Sequence, residues 1–251
     1  MALILPSNSV VVTPFEVTNS CNFTQASSDH MTFTPGSSGN QKTFTFSCWF
    51  KVTADTDNRS IFHAETWSAT PWCLIAIDDS DYFRFQCYTA AGVNNYYVPS
   101  STVSEGAWHH GVVAVDTTQA TASNRVKMYI DGALVTSWAA KVDIAQDTDT
   151  GVNKNVEQQI GEEGGLGRYY NGLLAEIHMV DGTQLAATDF AEDDGGTWTA
   201  IEYTGSHGSN GYHLDFKTAS SLGDDSSGNG NDFAEVNITS GDQSTDVPPS
   251  K

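Results

Sequence analysis

The sequence predicts an all-β protein, built as a two-sheet antiparallel β-sandwich. Small hydroxylated and turn-forming residues are abundant, because the 251 residues include 25 Ser, 27 Thr and 22 Gly, and Asp outnumbers Glu by 21 to 10. Such a composition disfavours helices and favours strands joined by tight turns. Apolar and polar residues also alternate in about a dozen short segments, which is typical of a sandwich and not of an α/β fold.

The clearest strand covers residues 44–52, FTFSCWFKV. Its side chains alternate with a period of two, so one face of the strand is apolar. The residues of that face are Phe44, Phe46, Cys48, Phe50 and Val52, and those of the opposite face are Thr45, Ser47, Trp49 and Lys51. The apolar face predicts a strand that packs against the core.

Two hairpins are predicted by the same alternation. In the first, residues 73–77 and 83–87 flank an acidic turn at residues 78–81. The second turns at Asp131-Gly132, a strong hairpin signal because the tight turn needs positive φ at both positions. Further strands are expected at residues 93–98, 108–116, 126–130, 133–138, 157–160, 172–180, 211–216 and 231–238.

One domain is predicted, with extensions at both ends. Residues 16–239 form the sandwich, residues 1–15 an N-terminal arm and residues 240–251 a C-terminal tail outside the core. A short helical turn is expected at residues 184–190. The opening residues lack the basic segment of a signal peptide, and no apolar stretch is long enough to span a membrane.

The charge is strongly acidic, with 11 basic and 31 acidic residues and a net charge of −20. Nucleic acid is therefore not expected as a partner, since little here could neutralise a run of phosphates. An anionic membrane surface is disfavoured for the same reason. The four cysteines (21, 48, 73 and 87) show no Cys-x-x-Cys spacing, so we expect buried free thiols, with a Cys73–Cys87 disulfide as the alternative.

Several segments stand out in chain order. They are residues 44–52, Trp108-His109-His110, residues 126–135 (VKMYIDGALV) and residues 160–185 (IGEEGGLGRYYNGLLAEIHMVDGTQL). Together they resemble the landmarks of the laminin-G-like branch of the concanavalin A-like lectin/glucanase fold. The resemblance implies a concanavalin A-like jelly roll and covers roughly residues 19–235.

Two longer strings resemble a narrower group, the virion proteins of tailed phages, many of them marine. These strings are NSCNFTQASSDHMTFTP (19–35) and YTGSHGSNGYHLDF (203–216), the latter followed by LGDDSSGNGNDF (222–233). The Asp-Ser-Ser-Gly-Asn-Gly-Asn turn departs from the usual laminin-G-like order. It lies at residues 225–231, near the end and not the start, which suggests a permuted strand order.

An enzymatic role is not expected. Glucanases of this fold carry three acidic residues on one strand, and the nearest string here, residues 176–181, replaces the central Asp with His178. The second carboxylate, Asp181, begins a turn, so Glu176 is interpreted as a structural residue. His109 and His110 are also interpreted as structural, because adjacent strand residues point to opposite faces.

No cofactor or metal site is assigned, although one calcium ion is left open. Clustered Asp and Asn oxygens suit calcium, but these residues are above all turn formers. Three clusters are candidates for this calcium site, and the sequence does not favour one over the others. They are Asp78/Asp79/Asp81, Asp147/Asp149/Asn153 and Asp225/Asn229/Asn231/Asp232.

A glycan is the small-molecule ligand that the residues favour, since aromatic rings stack on sugar faces and planar polar groups bind hydroxyls. The candidate residues are Trp67, Trp72, Tyr96, Tyr97, Arg168, Tyr169, Tyr170 and Asn171. Core or inter-subunit packing is the alternative for each pair of aromatic residues.

The predicted function is that of a non-enzymatic virion protein decorating the outer surface of the capsid, with a weak capacity for glycans. The resemblance implies the major capsid protein or another virion protein as a partner, and a homo-oligomer, a trimer by expectation. The apolar arm is expected to dock on a partner through Leu3, Ile4, Leu5, Val10, Val11 and Val12. The alternatives are a tail-fibre lectin module and, least favoured, a glycoside hydrolase.

Overall fold

The computed structural model describes residues 15–53 and 57–251, and it confirms the all-β sandwich. The predicted docking arm lies outside these residues. The strands in chain order are β1 (Ser20–Phe23), β2 (His30–Phe33), β3 (Thr43–Val52), β4 (Arg59–Ala64), β5 (Trp72–Ile77), β6 (Phe83–Tyr88), β7 (Asn94–Pro99), β8 (His109–Asp116), β9 (Val126–Ile130), β10 (Ala133–Leu134), β11 (Trp138–Val142), β12 (Gln158–Ile160), β13 (Gly172–Asp181), β14 (Ala191–Asp194), β15 (Thr197–Ala200), β16 (Tyr212–Leu214), β17 (Ala234–Val236) and β18 (Gln243–Ser244).

Helical structure in the described chain is confined to short turns. One α-helical turn covers Ala122–Arg125, and 3₁₀ turns cover Gln25–Ser27, Ala187–Asp189 and Ser240–Asp242. The turn at Ala187–Asp189 falls within the helical turn expected at residues 184–190. Within residues 15–53 and 57–251, no helix has the length and apolar character needed to cross a bilayer.

Two antiparallel sheets form the sandwich. Sheet A has the order β10-β9-β8-β3-β13-β1-β18, and β16 pairs with β13 beside β1. Sheet B has the order β11-β7-β6-β5-β4-β12-β2-β17. The hairpin of β14 and β15 stands apart from both sheets.

The core lies between the two sheets, as the alternation in residues 44–52 predicts. All five residues of the apolar face, from Phe44 to Val52, are at most 1% exposed and belong to the main hydrophobic cluster. On the opposite face, Trp49 is also buried, because a smaller cluster covers the outside of sheet A. That cluster includes Val17, Ala175 and Ala191, so both faces of sheet A are shielded over part of their area.

The two predicted hairpins are formed. In the first, β5 pairs with β6, and Cys73 lies opposite Cys87. All four cysteines are nevertheless free thiols and buried, as expected. In the second hairpin, Asp131 has φ = 47° and Gly132 has φ = 80°, the positive values that the Asp-Gly signal requires.

The C-terminal residues differ from the tail that the sequence predicts. β18 pairs with β1 at the edge of sheet A, and Ser250 forms an isolated bridge with Ala200. Asp246 also accepts hydrogen bonds from the side chains of Trp108 and Lys51. These contacts hold the segment against the sandwich, although its Pro, Ser and Asp composition gives no strand signal.

Candidate functional site

A groove on the outer face of sheet B brings aromatic and amide side chains together. The cavity has a volume of about 350 Å³ and is lined by Trp67, Ser68, Thr70, Trp72, Gln86, Tyr88 and Asn94. Strand alternation explains the lining. In β6, Phe83, Phe85 and Cys87 fill the core, and Gln86 and Tyr88 therefore point outwards.

The aromatic residues of the groove are stacked. The rings of Trp67 and Trp72 lie 4.3 Å apart with an interplanar angle of 26°, and Trp72 and Tyr88 lie 5.8 Å apart at 11°. Trp72 is only 4% exposed, whereas Trp67 is 36% exposed. Trp72 therefore fixes the orientation of the Trp67 ring, and Trp67 keeps a large part of its surface open to solvent.

An amide pair stands beside the stacked rings. The Nε2 of Gln86 donates to the Oδ1 of Asn94 at 2.9 Å. This bond leaves the Oε1 of Gln86 as an acceptor and the Nδ2 of Asn94 as a donor for a ligand. A donor and an acceptor held side by side next to a ring suit two neighbouring hydroxyl groups.

The groove is electrically neutral in a strongly acidic protein. Of the described residues that line it, none carries a charge. The buried imidazole of His63 stacks on Trp72 at 5.8 Å, and burial lowers the pKa of His63 to about 4. This ring is therefore neutral at physiological pH and adds no charge beneath the platform.

Among the other predicted aromatic residues, one borders this groove and the rest lie apart from it or in the core. Tyr96 points outwards from β7 and is the cross-strand partner of Gln86, so it borders the groove. Tyr97 differs from the expectation, because its ring is fully buried and its hydroxyl accepts a hydrogen bond from the backbone of Ile144.

The segment at residues 168–171 lies away from the groove lining. Arg168 pairs with Asp57 at 3.8 Å and with Glu163 at 3.4 Å. Tyr169 packs on His30, and Tyr170 is buried in the core against Phe23. The backbone carbonyl of Asn171 accepts from Thr53. Tyr170 therefore differs from the expectation of a ligand-binding ring, because it is fully buried in the core while the neighbouring Tyr169 packs at the surface on His30.

Tyr88, Gln86 and Asn94 complete the groove and were not among the predicted site residues. The alternation of β6 already places Gln86 and Tyr88 on the outer face, opposite the apolar residues. That signal identifies an exposed face, but it does not show that Trp67 and Trp72 fold over it. Their approach depends on the turn between β4 and β5.

His109 and His110 lie on opposite faces of β8, as expected for adjacent residues of a strand. His109 contacts Asp131 at 2.7 Å, whereas His110 is buried against Trp49 on the other side. Nδ1 of His110 accepts from the indole Nε1 of Trp198, since an indole nitrogen can only donate. Nε2 of His110 therefore donates to Ser47 Oγ at 2.8 Å.

The acidic clusters considered for calcium organise turns and ion pairs. Asp225 accepts hydrogen bonds from the backbone N–H groups of His213, Ser227 and Asn231. In the first cluster, Asp78 accepts from the backbone of Ser80, and Asp81 pairs with the buried Arg59. In the second cluster, Asn153 donates to the backbone carbonyl of Asn40 and to Asp181.

Glu176 has imidazoles as neighbours. Its Oε2 accepts from His213 Nε2 at 2.8 Å and lies 3.7 Å from His178 Nε2. Burial raises the pKa of Glu176, but its interactions with His178 and His213 outweigh burial and hold it at about 2. Asp181 is occupied elsewhere, since it accepts from Asn40, Asn153 and Asn210. Glu176 and Asp181 therefore do not form the acid and nucleophile pair of a glucanase.

Comparison with known proteins agrees with this architecture. Residues 25–188 match the profile of the laminin G domains in the concanavalin A-like lectin/glucanases superfamily. None of the curated proteins compared with the sequence matches it. A candidate carbohydrate-binding protein from Bacteroides ovatus superposes with a TM-score of 0.64 at 17% identity, over 94% of this chain and 62% of that one.

Two further structures superpose with lower scores. Domains LG4-5 of the mouse laminin α1 chain give a TM-score of 0.49 at 13% identity, over 70% of this chain and 45% of that one. The NanB sialidase of Streptococcus pneumoniae gives 0.49 at 14% identity, over 71% of this chain and 28% of that one. The family profile covers well over half of the sequence. The chain therefore belongs to the concanavalin A-like lectin/glucanase superfamily.

Proposed function

We propose that the protein is a carbohydrate-binding module and that the groove on sheet B holds a neutral glycan. The observation that carries this proposal is the exposed Trp67 ring, fixed by Trp72 beside the amide pair of Gln86 and Asn94. Rings of this kind stack on the apolar faces of sugars, and the amides bind hydroxyls. The carbohydrate-binding description of the Bacteroides ovatus protein supports the proposal.

The charge of the groove selects the class of glycan. The lining is uncharged, and the net charge of −20 repels anionic sugars at a distance. Binding is therefore expected to favour neutral oligosaccharides over sialylated or sulfated ones. It is also expected to depend little on salt and to stay constant between pH 6 and pH 8, where the buried His63 remains neutral.

Replacing Trp67 by Ala is expected to weaken binding about 30-fold, because a central aromatic contact contributes about 2 kcal/mol. A glycan array identifies the ligand, and isothermal titration calorimetry then measures the affinity of the wild type and of the variant. Leu134→Ala is the matched control. Leu134 is an apolar residue with 48% exposure on sheet A, and its removal is expected to leave the affinity unchanged.

Asn94→Ala is expected to weaken binding about 2- to 10-fold, the range for one hydrogen bond. Its side chain is exposed, so the fold is expected to tolerate the change. If the array shows no neutral glycan, or if Trp67→Ala binds as tightly as Leu134→Ala, the groove is not the binding site.

We further propose that the protein is a non-enzymatic component of a phage virion, decorating the outer surface of the head. The support is the resemblance of residues 19–35 and 203–216 to virion proteins of tailed phages. The major capsid protein is then the docking partner, in a trimeric arrangement.

Quantitative mass spectrometry of purified virions tests this proposal. A copy number in simple ratio to the capsid protein supports it, a low number indicates a tail-fibre lectin, and absence from virions overturns both.

A further inference from the structure

A second polar cluster lies on the outer face of sheet A, the sheet opposite the glycan groove. Glu176 and His178 belong to β13, and His213 is the cross-strand partner of His178 on β16. The register of β13 shifts between Ala175 and His178, so two residues of β13 face one residue of β3. Glu176 lies in this bulge with φ = 45° and projects to the same face as the two histidines.

The three side chains converge on one point. One ligand atom from each of them lies within 4.8 Å of the other two. His178 and His213 are stacked with their ring centroids 4.0 Å apart, and Nε2 of each ring faces the carboxylate of Glu176. The separations from Glu176 Oε2 are 3.7 Å to His178 and 2.8 Å to His213.

The carboxylate of Glu176 is incompletely satisfied. Its residue is only 3% exposed, and its Oε1 has no hydrogen-bond partner among residues 15–53 and 57–251. A buried carboxylate oxygen without a donor is unfavourable unless a ligand or cation completes its environment. Glu176 also lines a cavity of about 280 Å³ together with His213, His207 and Tyr203, so a small ion can reach it.

A third histidine, His207, contacts the other ring nitrogen of His178. Nδ1 of His178 lies 3.1 Å from Nε2 of His207, and the two rings are parallel within 14°. When His178 Nδ1–H donates to His207, the lone pair on Nε2 of His178 points to the side of Glu176. Metal-binding histidines show this arrangement, in which the second ring nitrogen donates to an outer partner.

We propose that Glu176, His178 and His213 bind a divalent transition-metal ion of the zinc class, with His207 positioning His178. Two imidazoles and one carboxylate are donors that zinc accepts, whereas calcium prefers oxygen ligands alone. Ligand atoms of a tetrahedral zinc ion lie about 3.3 Å apart, given bonds of about 2.0–2.1 Å. The observed separations of 2.8 Å and 3.7 Å bracket that value, so small side-chain rotations suffice.

Three protein ligands leave one position of the ion open. This position faces the cavity beside Tyr203 and Glu202, and a water molecule or a polar ligand would occupy it. The site is separate from the glycan groove, because the two use different sheets. Loss of the metal is therefore expected to leave glycan affinity unchanged, and the two proposals can fail independently.

Metal binding is tested by titrating chelator-treated full-length protein with Zn²⁺ in a calorimeter and with Co²⁺ in a spectrophotometer. We expect one ion per chain, and d–d absorption bands of Co²⁺ that report nitrogen and oxygen ligands. Glu176→Gln and His213→Gln are expected to weaken the affinity at least about 100-fold. His207→Gln, a change in a positioning residue, is expected to weaken it about 10- to 100-fold.

His30→Gln is the matched control, because His30 also faces a carboxylate, that of Glu162 at 3.3 Å, but does not belong to the Glu176 cluster. It is expected to retain the wild-type affinity. Anomalous diffraction from a Zn²⁺-soaked crystal of the wild type locates the ion without relying on any variant. The proposal is overturned if Zn²⁺ shows no saturable binding, if the ion lies elsewhere, or if folded Glu176→Gln and His213→Gln bind it as the wild type does.

Discussion

Lowering the pH from 7 to 5 is expected to reduce the free energy of unfolding by about 4 kcal/mol from His63 and His110 alone. Burial lowers the pKa of His63 to about 4 and that of His110 to about 3. In the unfolded chain both titrate near pH 6.5. Between these values the unfolded state binds protons that the folded state excludes, so stability rises with pH and is lost as the pH falls below 6.5.

The hydrogen bonds of His110 explain why its ring remains neutral. Nδ1 accepts from Trp198, and a proton on that nitrogen would place two N–H groups against each other. At pH 5 each buried neutral imidazole of this kind lowers the free energy of unfolding by about 2 kcal/mol, because the unfolded chain binds a proton there and the folded chain does not. Urea unfolding monitored by tryptophan fluorescence at pH 7, 6 and 5 measures the effect.

His110→Gln separates this contribution from other titrations. The Gln side chain can still donate to Ser47 but does not bind a proton in this range. The variant is expected to be less stable than the wild type at pH 7. Between pH 7 and pH 5, its free energy of unfolding is expected to fall by about 2 kcal/mol less than that of the wild type. If the free energy of unfolding falls by the same amount in both proteins between pH 7 and pH 5, His110 is not a source of the pH dependence.

Replacing Arg59 by Met is expected to destabilise the protein by about 3–5 kcal/mol. Arg59 is fully buried, and its guanidinium joins the start of β4 to the turn between β5 and β6. It donates to the carbonyls of Thr53 and Asp78 and to the Oδ1 of Asp81. Methionine fills a similar volume but leaves these acceptors without donors, and unpaired buried polar groups are costly.

Asp79→Ala is the control for this measurement. Asp79 lies in the same acidic turn but is exposed, so its removal is expected to change stability by less than about 0.5 kcal/mol. Both variants are compared with the wild type by urea unfolding at pH 7. A cost below about 1 kcal/mol for Arg59→Met would show that solvent or neighbouring groups replace the guanidinium.

The strands with the clearest alternation were predictable, and several strands without it were missed. In β3 and β6 one face meets the core and the other is polar or aromatic, so a period of two is visible in the sequence. β4 is buried on both faces and contains Arg59 and His63, so its sequence does not alternate. β1, β2 and β18 are too short to give a pattern, and their pairing depends on partners far away in the chain.

The candidate sites were harder to predict than the strands, because their residues are brought together by contacts between distant parts of the chain. Trp67 and Trp72 were predictable as candidate glycan-binding residues, but Asn94 joins them only because β7 pairs with β6. The sequence favours a structural role for Glu176, because the second carboxylate of a glucanase is not at the required position on its strand. Its imidazole partner His213 lies 37 residues away, and a bulge brings them to one face, which strand alternation does not anticipate.

The two ends of the described chain meet on one side of the sandwich. The backbone N–H of Val17 donates to the Oγ of Ser250 at 2.9 Å, and both segments cover the outer face of sheet A. The aromatic groove opens on the outer face of sheet B, so the ends and the groove face in opposite directions. A bead, a sensor chip or a larger assembly attached at Lys251 would therefore hold the molecule in an orientation that displays the groove outwards.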